Sequence, residues 1–156
     1  MTAANRGKWA EGKLDAEFSK LNSKYANFCH ERILDAYSSR GATSSSRAGD
    51  FGVYYAGLNF VIEVKTVDHD YRLPRSNFKL DQRARMYKRQ LAGSHCFIVI
   101  YHSTTKLWRM LPLDYFRKTA EETGSWDMSA EPTLSLDDIM QSLLCRTDAK
   151  VSLNAT

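Results

Sequence analysis

The stretch Gly49-Asp50-Phe51-Gly52-Val53-Tyr54-Tyr55-Ala56-Gly57-Leu58-Asn59-Phe60-Val61-Ile62-Glu63-Val64-Lys65 decides how this chain is read. Folded as a hairpin at Ala56-Gly57, it sets Tyr55 opposite Leu58, Val53 opposite Phe60 and Phe51 opposite Ile62. Each pair is apolar, so one face of the hairpin can enter a core. The same register sets Asp50 opposite Glu63 on the other face, and Lys65 follows Glu63 there at period two. Facing carboxylates repel unless something compensates them, and a divalent cation is the simplest compensation. The competing reading is a solvated strand face carrying a weak Glu–Lys ion pair.

Two acids and an amine in one patch suit a metal-dependent phosphodiesterase. Magnesium takes oxygen ligands, keeps several waters and commonly binds one or two carboxylates together with phosphate oxygens. Asp50, Glu63 and the carbonyl of Val64 would be its protein ligands, and manganese would serve as well. Such a metal polarises the scissile phosphate, acidifies a bound water and stabilises developing negative charge. Lys65 either orients or deprotonates that water, or neutralises the transition state. Glu11 lies at the edge of a helical stripe, where it either serves the helix macrodipole or reaches the site as an accessory acid. Asp15, one turn on, competes for that role.

Outward from the hairpin, Leu14, Phe18, Leu21 and Tyr25 form one buried stripe and predict a helix over residues 8–25. Residues 28–37 read as a strand. Residues 38–49 are a small, polar, glycine-containing loop, either a surface connection or a segment that orders on nucleic acid through Arg40 and Arg47. Residues 66–75 form a polar segment. A second helix is predicted from Ser76 as N-cap to about residue 91, with Leu80, Ala84, Tyr87 and Leu91 buried. Lys79, Gln82, Met86 and Arg89 share another face of it.

Cys96-Phe-Ile-Val-Ile-Tyr101 does not alternate, as expected of a strand covered on both sides. Residues 103–106 read as a turn and 107–111 as the next strand, with Pro112 opening a short helix that carries Leu113, Phe116 and Ala120. Residues 121–132 read as loop. Ser135 with Asp138 resembles a capping box, and Leu134 with Ile139 a hydrophobic staple, ahead of a C-terminal helix over 135–146 and a frayed tail. These elements predict one α/β domain over residues 1–156, a mixed sheet flanked by helices.

Composition agrees. The 156 residues are 43% hydrophobic and 26% charged, ordinary for a globular domain of this size. Apolar runs are strand-sized, so no membrane span is expected. Three cysteines, Cys29, Cys96 and Cys145, lack metal spacing and leave an odd one, which predicts a reduced, cytoplasmic setting. Cys96 reads as a small apolar filler. The formal charge is +4, with positive residues crowded into 72–89. Arg75, Lys79, Arg83, Arg85 and Arg89, with Arg40 and Arg47 from the loop, are candidates to contact DNA phosphates. Asp68-His69-Asp70 suits a water-facing loop better than a metal site, since no second histidine stands at ligand spacing.

From Asp50 through Tyr54, Gly57, Glu63, Lys65, Pro74 and Gln82 the chain resembles the PD-(D/E)xK nuclease superfamily, and within it RecU-type and phage Holliday junction resolvases. Asp-Phe-Gly-Val-Tyr-Tyr-Ala-Gly corresponds to that family's hairpin, Ile-Glu-Val-Lys to its Glu-x-Lys strand, and Phe78-Lys-Leu-Asp-Gln82 to the segment carrying its helix glutamine. The resemblance spans about residues 7–117, most specifically 50–82. It implies a restriction-endonuclease-like core, a magnesium-dependent endonuclease that hydrolyses DNA phosphodiesters, and Gln82 as a positioning residue. For a resolvase it implies a homodimer cutting opposed strands of a four-way junction. Gly49 stands where the superfamily has proline and RecU-type proteins threonine. The interval before Asp50 is too short for the RecU stalk. A nuclease of this fold for a repair, end-processing or restriction-type substrate is the alternative, and a noncatalytic DNA-binding module a further one.

Overall fold

The computed structural model describes residues 2–33, 48–117 and 124–154. The hairpin forms as its apolar pairing dictates. β2 (Phe51–Tyr55) and β3 (Leu58–Val67) run antiparallel, with Phe51 opposite Ile62, Val53 opposite Phe60 and Tyr55 opposite Leu58. The turn between them has positive φ at both Ala56 (49°) and Gly57 (82°), the signature of the type I′ turn that matches strand twist.

β3 is the middle of a five-stranded sheet whose order places β1 (Phe28–Arg32) and β2 on one side, β5 (His95–His102) and β6 (Leu107–Pro112) on the other. Only the β3–β5 pair in this sheet is parallel, so the sheet is mixed. The crossover from β3 to β5 carries α2 (Leu80–Leu91), as a parallel connection requires. α1 (Ala3–Lys24) begins five residues earlier than its apolar stripe predicts, because the Thr2 hydroxyl accepts from the Asn5 N–H and caps it.

The sheet separates two cores. On one face Ala10, Leu14 and Phe18 of α1 meet Phe51, Val53, Phe60, Ile62, Phe97 and Val99, closed by Ile139, Met140 and Leu143 of α3 (Leu136–Asn154). The α3 start is the predicted capping box: Asp138 accepts from the Ser135 N–H (2.8 Å) and hydroxyl (2.7 Å), and its own N–H donates to the Ser135 oxygen (3.1 Å). On the other face Val61, Val67, Cys96, Ile98 and Ile100 meet Met86 of α2, with Leu73, Phe78, Phe116 and Trp126 alongside.

The α2 reading needs correction. The helix begins at Leu80 with Lys79 as N-cap, after a short 3-10 turn at Arg75–Asn77, rather than at Ser76. Leu80 is 62% and Leu91 71% exposed, whereas Met86 is fully buried. The face predicted to be polar, with Gln82 and Met86, is the one against the sheet. Leu80 and Leu91 fall at the two helix ends, while Met86 lies at mid-helix above β5, where its carbonyl accepts from the Cys96 thiol at 3.3 Å.

Residues 121–132 are not all loop either. β7 (Ser125–Asp127) pairs with β4 (Arg72–Pro74) as a separate two-stranded sheet, each strand too short to show a period. The run after β6 is a 3-10 turn, Leu113–Arg117, with Leu113 and Phe116 buried as expected. The strand predicted over 28–37 is present as β1; residues from 34 on, and Ala120, lie outside the described residues. Among the described residues no helix is long and apolar enough to cross a membrane.

Candidate active site

Asp50 stands at the mouth of β2, and a glycine brings it there. Gly49 has φ +127°, and a Cβ at that position would lie 2.7 Å from a Val61 methyl and 3.2 Å from the Ile62 carbonyl oxygen. Only glycine lets the backbone approach β3 so closely. The approach lets the Asp50 N–H donate to the Ile62 carbonyl (2.8 Å) and its carboxylate Oδ2 accept from the Val64 N–H (2.7 Å). Glu63 and Lys65 follow Val61 along one face of β3, the face under α2.

The site is therefore not a solvated patch. Asp50 is 4% and Glu63 3% exposed. Lys65 Nζ lies 2.7 Å from Glu63 Oε1, and its side chain is 14% exposed. The ammonium also donates to Gln82 Oε1 (3.0 Å) and rests 5.3 Å from the centre of the Phe78 ring. Phe78 is a site residue missed in the sequence; its signal is an aromatic two residues before the first turn of α2, among polar neighbours.

Burial pushes the Glu63 carboxyl up to about 7, and the negative charge of Asp50 adds to the rise; Lys65 and Gln82 pull against both. Glu63 Oε2 is buried and accepts no hydrogen bond. An orphaned carboxylate oxygen beside a second buried carboxylate fits a hard divalent cation, with Asp50, Glu63 and the Val64 carbonyl as donors. Among the described residues no third histidine, cysteine or acid completes a metal-holding group.

Glu11 and Asp15 are drawn elsewhere. α1 packs on the opposite face of the sheet, where Asp15 Oδ1 meets His30 Nε2 at 3.0 Å and Asp15 Oδ2 meets Arg32 Nε at 3.4 Å. Glu11 Oε2 lies 3.7 Å from Arg32 Nη1. The structure thus brings both acids to β1, and neither joins Asp50 and Glu63 in a metal-holding group.

Among the cationic candidates, Lys79, Arg85 and Arg89 lie exposed along α2, and Arg75 is half-buried beside β7, where its backbone N–H donates to Gly124. Arg83, by contrast, is half-buried and turns inward. Its Nε donates to the Phe78 carbonyl (3.2 Å), its Nη1 to the Phe116 carbonyl (3.3 Å), and the guanidinium lies over the Trp126 ring. Arg40 and Arg47 lie outside the described residues. Asp68, His69 and Asp70 are exposed as expected, and the His69 and Asp70 carbonyls anchor the buried His102–Arg109 pair.

No family model and no curated protein matches the chain. Among solved structures it is similar to Hjc of Archaeoglobus fulgidus, a Holliday junction resolvase from an archaeal hyperthermophile. The TM-score is 0.59 and the identity 20%, over 85% of this chain and 98% of that one. The resemblance read from residues 50–82 is thereby borne out at the level of the fold, a mixed α/β domain of the restriction-endonuclease-like kind.

Proposed function

We propose that the chain is a magnesium-dependent DNA endonuclease that hydrolyses phosphodiester bonds in branched DNA, with the four-way junction as its leading substrate. The observation that carries this reading is the buried Asp50–Glu63 pair with the Lys65 ammonium 2.7 Å from Glu63. A purely structural core has little use for two carboxylates so buried, because desolvation and mutual repulsion both destabilise them.

Asp50, Glu63 and the Val64 carbonyl would hold the magnesium, or manganese, which when bound supplies Lewis-acid activation of a water and of the phosphate. The chain does the rest. The Val64 N–H fixes the Asp50 carboxylate, and Gln82 and Phe78 hold the Lys65 ammonium beside Glu63. In hydrolysis a water oxygen bonds to phosphorus, the bond to one ester oxygen breaks, and that oxygen takes up a proton. Lys65 orients or deprotonates the water, or neutralises charge on the phosphorane-like transition state. Glu11 would serve as an accessory acid only after leaving Arg32. Lys79, Arg85 and Arg89, with Arg75, would receive backbone phosphates.

The choice of a junction is supported by the likeness to Hjc of Archaeoglobus fulgidus, a Holliday junction resolvase. Junction resolution needs two opposed cuts, so the reading includes a homodimer acting in the cytoplasm. Incubation of the chain in magnesium with a synthetic four-way junction, a flap and a linear duplex tests it. Symmetric nicking of the junction alone supports the resolvase. Cutting of flap or duplex with equal ease moves the reading to a repair, end-processing or restriction-type nuclease. Asp50→Asn cutting as well as the parent would discard the site.

A further inference from the structure

On β2 the face shared with Asp50 continues through Gly52 to Tyr54. Four residues of strand separate Asp50 from Tyr54, roughly 13 Å, which a short stretch of extended single strand spans. Between them Gly52 is buried, with the Glu31 carboxylate and the Tyr54 hydroxyl each 3.4 Å from where its Cβ would stand, so the tyrosine lies back over the strand toward the acids. Tyr54 is 40% exposed, one of few large hydrophobic side chains left open to water among the described residues. Its hydroxyl donates to Glu31 Oε1 (3.0 Å) from the neighbouring strand, which fixes the ring.

The two sides of this face differ in charge. α2 runs beside it from Gln82, at the acids, toward Arg89, whose positive charge is felt at Tyr54. Arg85 and Arg89 are exposed along that helix, while Glu31 stands on the β1 side. A strand lying along this face would turn its phosphates toward α2 and its bases toward Tyr54. Directly across the β2–β3 pair from Tyr54, the Asn59 side-chain oxygen is buried and accepts no hydrogen bond.

We infer that Tyr54 is a stacking seat for an unpaired nucleobase close to the bond that is cut. The inference rests on the nuclease reading and deepens it: the substrate class is DNA whose bases are unstacked or unpaired beside the scissile phosphate. Stacking on an aromatic side chain tolerates any sequence, because every base has a π-face. A fully paired duplex keeps its bases inside the stack and cannot use the seat.

The test uses the full chain in an Asp50→Asn background, so that DNA is held and not cut. Tyr54→Ala, Tyr54→Phe and Tyr54→Trp are compared by fluorescence anisotropy on a labelled oligothymidylate and on a paired duplex of the same length. Tyr54→Ala is expected to weaken single-strand binding about tenfold or more. Phe and Trp are expected to stay near the parent, and duplex binding to remain unchanged in all three. Unaltered single-strand binding in Tyr54→Ala overturns the inference. So does a loss in Tyr54→Phe equal to that in Tyr54→Ala, which would assign the effect to the hydroxyl, or an equal loss on duplex. If the parent cuts no DNA while the Tyr54 effect persists, the nuclease reading falls and the seat stands.

Discussion

The two faces of β3 are built from alternate residues of one strand and obey different rules. Phe60, Ile62 and Val64 enter a core of aliphatic and aromatic side chains shared with α1 and α3. Val61, Glu63, Lys65 and Val67 face α2, and there the apolar row is broken in its middle by an acid and an amine. Both faces are withdrawn from water. The difference shows that burial alone does not identify a core: one face is closed by packing, the other by a helix that brings a glutamine to the charges.

The largest effect that would sharpen this contrast is on chemistry. Asp50→Asn and Glu63→Gln should each lower junction cleavage on the order of 10³-fold, measured in single-turnover assays. Glu63→Gln should at the same time raise the melting temperature of the metal-free protein, because it removes a buried charge. A melting temperature that falls would mean that the acid stabilises the fold.

On the other face the order reverses. Phe60→Ala should cost about 3–5 kcal/mol of stability in urea unfolding, through the cavity it leaves. In folded molecules of that variant, cleavage per mole should stay near the parent value.

The pH dependence separates the faces again. Glu63 has a carboxyl raised from 4.5 to about 7 in the folded chain, so the fold favours its protonated form. Its stabilising contribution is fully present below about 4.5 and is lost as pH rises through about 7. In chelator, stability should therefore decline across that window, and Glu63→Gln should flatten the decline. Magnesium should flatten it too, since a bound cation favours the carboxylate, and cleavage should fall as pH drops below about 7. A parent profile as flat as that of Glu63→Gln would remove the buried carboxylate from the account.

Smaller effects are expected away from the strand itself. Gly49→Ala should cost about 1–3 kcal/mol, from a backbone conformation that side chains rarely adopt. Leu80→Gln, at an exposed helix end, should stay within about 0.5 kcal/mol in the same assay.

Much of this contrast was legible in the sequence. Apolar pairing about Ala56-Gly57 gives the register, and the register puts Asp50 beside Glu63 without reference to any family. The depth of the site was not legible, because the cover over Glu63 comes from α2 and α2 was oriented wrongly. Its leucines outnumber its one methionine, and periodicity favours the more numerous set; the sheet contact selects Met86 because of where the helix crosses. The inward course of Arg83 is illegible for a related reason: charge suggests a surface, while one of its partners, the Phe116 carbonyl, stands 33 residues away. Glu11 and Asp15 have the spacing of site acids, but their partner Arg32 is fixed by sheet order, which helix periodicity does not encode. β4 and β7 each have three residues and identify one another only in three dimensions.

The bare α-carbon of Gly49 has a consequence for variation across relatives. A Cβ there would meet Val61, whose side chain shares its strand face with Glu63. Positions 49 and 61 are therefore joined by a shared volume, and a larger residue at one must be matched by a smaller residue at the other or by a different backbone path. Proteins of this fold that carry proline or threonine before the first acid should bring their two strands together along another line. Paired differences at these two positions would record, in sequence, how far apart each protein holds its acids.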